Sequence, residues 1–274
     1  FSCLLRPSDD ITCFGTNTAG QLNVPGAMTF RAMAAGTAHM CGIRSGSGQD
    51  TVTCWGSNVY GQATVPPTLG TVTEIAAGSQ HTCAVRSDKR VACWGYNGSG
   101  QTSVPASLGT VERIATGGAH TCAIKTGGSI VCWGDTSLGK TTPPRVLAGV
   151  TFSQISARGN VTCALTSTGL PMCWGATTYG QTRVPTGTAT YSAISVGLHH
   201  VCALSVRRPV CWGENTSGQT TVPAGYFQQI SAGGMHTCAV TFTFGKSNQG
   251  QDRPVCWGRN LEGQTSVPFA LGEW

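Results

Sequence analysis

Short runs of alternating apolar and polar residues fill the chain, and the same four runs return about every 40 residues. In the last repeat they cover residues 227–232, 236–240, 255–258 and 260–268. Alternation with a period of two predicts half-buried β-strands, and no segment shows the 3.6-residue period of an amphipathic helix. The pattern therefore predicts an all-β chain whose repeats each contain four short antiparallel strands.

The repeat occurs seven times, which decides how the sheets are arranged. Seven small sheets set radially around a channel form a β-propeller, an architecture that leaves only short, protected strand edges. We therefore predict a seven-bladed propeller in which residues 1–274 form a single domain. Repeat 1 lacks the first of the four runs, and we expect residues 269–274 to complete its blade.

Each repeat carries one pair of cysteines, which flank the hairpin between the second and third predicted strands. Directly opposed positions on neighbouring strands have the Cα separation that a disulfide needs, and closing such a loop contributes roughly 3 kcal/mol in the chain-entropy model. Metal binding is the alternative, but zinc sites usually draw four ligands from two closely spaced pairs, so we expect no metal and no cofactor. The predicted bridges are Cys3–Cys13, Cys41–Cys54, Cys83–Cys93, Cys122–Cys132, Cys163–Cys173, Cys202–Cys211 and Cys238–Cys256.

Seven disulfides indicate an oxidising, extracellular compartment, so we expect a cell-surface ectodomain or a secreted protein. No apolar stretch is long enough to span a membrane, and any anchor is expected outside this chain. The formal net charge is +6, and the cysteine-flanked hairpins hold ten basic and five acidic residues, including Lys246 and Asp252. Because no aromatic residues interleave with these charges, we expect no nucleic-acid partner.

Two loop families are expected at one end of the ring: the Ala-Gly-x-x-His turns and the Trp-Gly-x-Asn turns. Features that recur in every blade indicate frame residues, such as the tryptophans and the glutamines that follow the turn glycine, which we expect to bond backbone in a neighbouring blade. Repeat 4 has Lys140 at the glutamine position. Recurrence also favours a structural role over ligand contact for His39, His81, His120, His200 and His236.

Residues that vary on this recurring frame are the candidates for ligand binding. They combine aromatic contact area with a planar guanidinium that suits a carboxylate or sulfate. The candidates are Tyr60, Tyr96, Arg158, Tyr179 and His199.

Catalysis has no support in the sequence, because the carboxylates are scattered and neither a nucleophile elbow nor a phosphate-cradling loop is present. We therefore predict a binding protein and not an enzyme. N-glycosylation sequons begin at Asn97, Asn160 and Asn215. Asn97 and Asn215 occupy a turn position that asparagine fills in other repeats, so Asn160 is the favoured glycan site.

The repeat Ala-Gly-x-x-His-x-Cys-Ala…Val-x-Cys-Trp-Gly-x-Asn-x-x-Gly-Gln resembles the regulator of chromosome condensation superfamily across the whole chain. Seven copies with a cysteine pair each, and Cys13-Phe14-Gly15 in the first copy, resemble the ectodomain of plant Crinkly receptor-like kinases. That resemblance implies a receptor domain that binds a peptide, wall carbohydrate or partner protein, with any kinase domain outside this chain. The Gly-Gln-x-x-Val-Pro endings, as at residues 218–223, are similar to secreted bacterial β-lactamase-inhibitor propellers, so a secreted inhibitor is the alternative.

Overall fold

The computed structural model describes residues 1–26, 28–46, 50–187, 189–243 and 253–268. In these ranges the chain forms seven antiparallel sheets, and the only helix is a 3₁₀ turn at Ser137–Gly139. No helix there is long and apolar enough to cross a membrane.

The sheets are the blades of a propeller, and the strands of each blade pair in chain order. Blade 1 contains β1 (Ser2–Leu5) and β2 (Ile11–Phe14). Blades 2 to 4 contain β3 (Phe30–Ala35), β4 (His39–Arg44) and β5 (Val52–Gly56); β6 (Val72–Ala77), β7 (His81–Arg86) and β8 (Val91–Gly95); and β9 (Val111–Thr116), β10 (His120–Lys125) and β11 (Ile130–Gly134). Blades 5 to 7 contain β12 (Phe152–Arg158), β13 (Val161–Thr166) and β14 (Pro171–Gly175); β15 (Ala193–Val196), β16 (His200–Ser205) and β17 (Arg208–Gly213); and β18 (Phe227–Ala232), β19 (His236–Thr241) and β20 (Pro254–Gly258).

A disulfide staples the same two strands in every blade. In blade 3, for example, Cys83 lies directly opposite Cys93 in the ladder between β7 and β8. All seven predicted bridges are formed. The predicted propeller with one disulfide per blade is therefore confirmed.

The core is divided among the boundaries between blades. At the boundary of blades 2 and 3, Ile43 of β4 packs against Val72 and Ile75 of β6 and against Trp94 of β8. Burying a side chain of this size contributes on the order of 2 kcal/mol, so each boundary is a small hydrophobic core of its own. The first strands of neighbouring blades also contact one another and form the wall of the central channel.

The predicted fourth strand is not formed: the corresponding described segments lie outside the hydrogen-bonded sheets. In the segment after blade 3, the Val104 N–H donates to the Thr102 carbonyl two residues back at 3.0 Å. The next residue, Pro105, has no N–H to offer a ladder. Val24 and Val267 make the same local bond, at 2.9 and 3.0 Å. The valine N–H in these segments thus finds its hydrogen-bond acceptor within a tight turn and not in a neighbouring strand.

Blade 1 has two strands among the described residues. The expected completion of this blade by residues 269–274 lies outside the described residues.

Candidate functional site

The two loop families meet at one end of the ring, as the chain direction predicts. The N–H of Tyr96 donates to the Gln80 carbonyl at 2.8 Å, and Glu214 makes the equivalent bond to His199 at 2.9 Å. We call this end the loop mouth; it is formed by the Ala-Gly-x-x-His turns and the Trp-Gly-x-Asn turns. The opposite end carries the cysteine-flanked hairpins and is called the hairpin face.

The recurring histidines are buried, and each of the five ties its blade to the next one. The hydroxyl of Thr121 donates to the Gln101 carbonyl at 2.8 Å, so it accepts a hydrogen bond from Nε2 of His81 in the preceding blade. We call each such pair a blade clasp. The clasps join His39 to Thr82, His81 to Thr121, His120 to Thr162, His200 to Thr237 and His236 to Ser2, at 2.9, 3.0, 2.7, 2.9 and 2.8 Å.

Where a histidine is missing, its partner hydroxyl is missing too. Repeat 5 has Val161 at the histidine position, and the facing position of blade 6 is Val201, which lies in the same apolar cluster. Repeat 1 has Phe1 there, and it packs into the cluster that contains Met40. This matched exchange shows that the two positions form one contact across the blade boundary.

Burial keeps the clasp histidines neutral. It lowers the pKa of His39, His120, His200 and His236 to about 4 and that of His81 to about 3, because the charged imidazolium is poorly solvated inside the protein. These residues do not titrate near neutral pH. The structural interpretation of the histidines therefore agrees with their surroundings.

The glutamines also belong to the frame, but by a different contact from the one expected. The side-chain Oε1 of Gln62 accepts the N–H of Tyr60 in its own turn at 2.8 Å. The backbone carbonyl of Gln62 makes the contact with the next blade, because it accepts the indole N–H of Trp94 at 2.9 Å. In repeat 4 the Lys140 carbonyl keeps this bond to Trp174, and its buried Nζ binds Asp135 at 2.6 Å.

Two of the predicted tyrosines form an exposed aromatic pair. Tyr60 and Tyr96 meet edge to face with ring centroids 4.9 Å apart, and they are 45% and 39% exposed. They come from neighbouring blades, 2 and 3. Their contact fixes both rings at the loop mouth while much of each ring remains open to solvent.

A second aromatic pair lies on blades 5 and 6. The Tyr179 ring stacks on His199 with centroids 4.4 Å apart. Glu214 then orients the imidazole, because its Oε2 lies 2.9 Å from Nδ1 of His199. Sequence reasoning singled out Tyr179 and His199 but did not predict that they touch, nor that Glu214 holds the imidazole.

Exposed aliphatic side chains extend this rim and were missed as candidates. Val59 and Leu261 are each 81% exposed, and Leu138 is 60% exposed. All three lie in the turns between the Asn or Thr position and the turn glycine. At the position of Val59 and Leu261 the other repeats have threonine, serine or glycine. An apolar residue at a turn position that is polar or small in sister repeats was the available signal.

Arg158 lies apart from the tyrosine pairs, in the central channel. It borders the channel cavity together with residues of the first strands of blades 2 to 7. No hydrogen bond or ion pair joins its guanidinium to any residue that the structure describes. Burial lowers the pKa of the Arg158 guanidinium, and no acidic side chain among the described residues offsets this effect.

The three sequons differ in what their amide nitrogens do. Nδ2 of Asn97 donates to Ser103 at 3.0 Å, and Nδ2 of Asn215 donates to Thr221 at 3.1 Å, so both side chains are held in their turns. Asn160 is exposed and accepts a bond from Lys140 through Oδ1 at 2.8 Å. Its Nδ2, the atom that carries a glycan, is not engaged by that bond.

The hairpin face is less basic than its composition implies, because several cations are paired. Lys89 binds Glu112 at 2.8 Å, and Arg86 lies 3.6 Å from Asp88. Lys246 and Asp252 lie outside the described residues. Among the described residues, no group of three or more His, Cys, Asp or Glu side chains is arranged to hold a metal.

Comparison with known proteins agrees with this architecture. The family model for the Regulator of chromosome condensation (RCC1) repeat matches residues 72–101 and 111–140. No curated protein sequence matches the chain. Prp20p from Saccharomyces cerevisiae is 17% identical with a TM-score of 0.76, covering 99% of this chain and 86% of its own, which shows the shared fold. The chain shares the propeller fold of Prp20p, and its residues 72–101 and 111–140 are similar to RCC1 repeats.

Two receptor kinase ectodomains are more similar in sequence. The ectodomain of Physcomitrella patens receptor kinase CR4 is 27% identical with a TM-score of 0.76, over 93% of this chain and 69% of that one. The CRINKLY WD40 ectodomain of Arabidopsis thaliana receptor kinase ACR4 is 28% identical with a TM-score of 0.72, over 97% and 93%. The predicted Crinkly-type resemblance is thereby confirmed. With its seven disulfides, the chain is an extracellular propeller that is similar to these receptor kinase ectodomains.

Proposed function

We propose that the chain is the ligand-recognition domain of a receptor-like kinase and that its loop mouth binds a peptide or protein outside the cell. One observation carries this proposal: two aromatic pairs, Tyr60 with Tyr96 and Tyr179 with His199, stand on a recurring frame. The tyrosines are exposed, and His199 is half-buried. The similarity to two receptor kinase ectodomains supports the receptor assignment.

The chemistry of the rim suits a polypeptide ligand. A tyrosine offers a large amphipathic surface and loses little conformational entropy on binding, because it has only two side-chain torsions. Here the ring contacts already restrict those torsions before a ligand arrives. The exposed Val59, Leu138 and Leu261 add apolar area around the aromatic pairs, as expected for the anchor positions of a protein interface.

The alternative, a secreted inhibitor, rests on the Gly-Gln-x-x-Val-Pro endings. In the structure these residues serve the frame: Gln219 is fully buried, and its carbonyl accepts the indole N–H of Trp257 at 3.0 Å. The similarity to inhibitor propellers therefore concerns how blades are joined and carries no information about the bound partner. For this reason we favour the receptor function.

The proposal is tested with a phage-displayed library of random peptides selected on the whole protein. For the selected peptides, we expect Tyr96→Ala and Tyr179→Ala each to weaken binding about fivefold or more, which corresponds to about 1 kcal/mol. Arg208→Ala, on the hairpin face, is the matched control and leaves affinity unchanged. Loss of binding in the control but in neither tyrosine variant moves the site to the hairpin face. A selection that returns no binders contradicts a peptide ligand.

Within the same proposal, Asn160 carries the N-linked glycan. Asn160 is exposed and its hydrogen bond to Lys140 uses Oδ1, whereas the amide nitrogens of Asn97 and Asn215 are bonded inside their own turns. In a eukaryotic secretory host we expect Asn160→Gln to remove a glycan that Asn97→Gln retains, as read by the mass of the intact protein. A glycan that persists in the Asn160 variant contradicts this assignment.

A further inference from the structure

The central channel contains a small cavity on whose wall the described residues place one charged side chain. The cavity has a volume of about 240 Å³, and its wall is formed mainly by alanine, glycine, serine and threonine from the first strands. Arg158, at the end of β12, is the only charged residue on that wall among the described residues. The channel is therefore a narrow, mostly neutral space into which one guanidinium has been placed.

Arg158 stands where other repeats need glycine. A Cβ at Gly117 would lie 2.1 Å from Cε1 of His120, and a Cβ at Gly78 would lie 2.5 Å from Cε1 of His81. The clasp histidine thus forbids a side chain at this position. In repeat 5 the histidine is replaced by Val161, and only with that change can the position carry an arginine.

The exchange introduces a charge without a counterion. The wall of the cavity contains no aspartate or glutamate in the described part of the chain, and no described side chain pairs with the guanidinium. Lys140 in the neighbouring repeat shows the contrast, because its buried Nζ is matched by Asp135 at 2.6 Å. A partly desolvated guanidinium with no acidic partner favours an anion at its side.

Two hydroxyl groups on the same wall add further donors. Oγ of Ser156 accepts the N–H of Val196 at 3.0 Å, and Oγ of Ser195 accepts the N–H of Ala232 at 2.8 Å. Since each oxygen acts as an acceptor in these bonds, its own hydrogen remains to be donated. Both serines border the cavity with Arg158.

We propose that the channel binds a compact oxyanion, a carboxylate or a sulfate, on the guanidinium of Arg158. The planar fork of arginine matches either group with two parallel N–H···O bonds. The cavity is smaller than the 300–1,000 Å³ typical of pockets for drug-sized ligands, so it suits a single charged group. The inference builds on the proposed recognition function, because it adds an acidic or sulfated group to the ligand of the loop mouth.

The test uses small anions, so that it does not depend on the natural ligand. Isothermal titration calorimetry of the whole protein at low ionic strength compares sodium succinate and sodium sulfate with sodium chloride. We expect saturable binding of one succinate or sulfate per chain, and about tenfold or greater weakening in Arg158→Gln. Arg158→Lys, which keeps the charge but loses the fork, lies between the two. The succinate and sulfate arms show which oxyanion is preferred.

Matched variants separate this result from general effects of charge or misfolding. Arg183→Gln removes a cation from an exposed turn outside the cavity wall and leaves anion binding unchanged. Arg158→Gly restores the residue of the other repeats, so it keeps the fold, checked by circular dichroism, and loses the anion. Equal anion binding by the wild type and Arg158→Gln overturns the proposal, and so does the absence of saturable binding to the wild type. We expect Tyr96→Ala and Tyr179→Ala to retain anion binding. Failure of the anion-binding proposal is therefore distinguishable from failure of the peptide-binding proposal.

Discussion

At the residue scale, contacts between blades are specified by pairs of side chains about 40 positions apart. A histidine on one blade meets a hydroxyl on the next, and Val161 meets Val201 where the pair is apolar. An unmatched pair would leave a buried polar group without a partner, which costs about 1–3 kcal/mol. This cost explains why both members of a pair change together within one chain.

A double-mutant cycle tests this pairing. We expect His81→Val to lower the free energy of unfolding by about 1–3 kcal/mol, because Thr121 loses its donor. Adding Thr121→Val recreates the Val161–Val201 pair, so the double variant loses less stability than the sum of the two single variants. Guanidinium denaturation of the four proteins measures the coupling. Strict additivity would show that the two side chains act independently.

Much of this frame was predictable from the sequence, but the contacts within the candidate ligand-binding rim were only partly so. Recurrence identified the histidines as structural, and departure from the repeat identified Arg158. The contact of Tyr60 with Tyr96 and the support that Glu214 gives to His199 depend on which loops of neighbouring blades approach each other. Such approach is a three-dimensional property that spacing along the chain does not reveal.

At the element scale, the period-two pattern correctly predicts the three paired strands of blades 2 to 7, but its prediction of a fourth strand is wrong. The first three runs pack against neighbouring blades, so alternation of apolar and polar residues follows from their burial. The fourth run is similar in composition, but its valine N–H is bonded two residues back and its proline has none. Periodicity reports burial of side chains and does not report where backbone hydrogen bonds go.

At the scale of the whole molecule, the ring closes with the same contacts that join successive blades. Ser2 Oγ lies 2.8 Å from Nε2 of His236, and it donates to the Gln264 carbonyl at 2.7 Å. Blades 7 and 1 are thereby joined as blades 3 and 4 are by His81, Thr121 and Gln101. The closing boundary thus uses the same kind of clasp as four of the boundaries between successive blades.

Acid should weaken all the clasps together. The pKa of a clasp histidine is about 6.5 when unfolded and about 4 or lower in the fold, so its contribution is complete above pH 6.5 and is lost as the pH falls towards 4. Glu74 has the opposite effect: burial raises its pKa to about 7, so its protonation as the pH falls favours the folded state. This effect of one residue is opposed by that of the five clasp histidines. We expect the melting temperature to fall between pH 6.5 and pH 4, with a shallower fall in His81→Val/Thr121→Val. A pH-independent melting temperature contradicts neutral buried histidines.

The position of the disulfides also has a mechanical consequence for an extracellular domain. Every bridge lies within a blade, so the boundaries between blades resist tension only through hydrogen bonds and side-chain packing. A pulling force would therefore separate the blades one at a time. The residues enclosed by each disulfide would not contribute to the length of the extended chain. In a single-molecule stretching experiment, we expect reduction of the disulfides to increase the length gained per unfolded blade by the contour length of the residues between its two cysteines. With its disulfides intact, the protein therefore has a shorter maximum extension under load than the reduced protein.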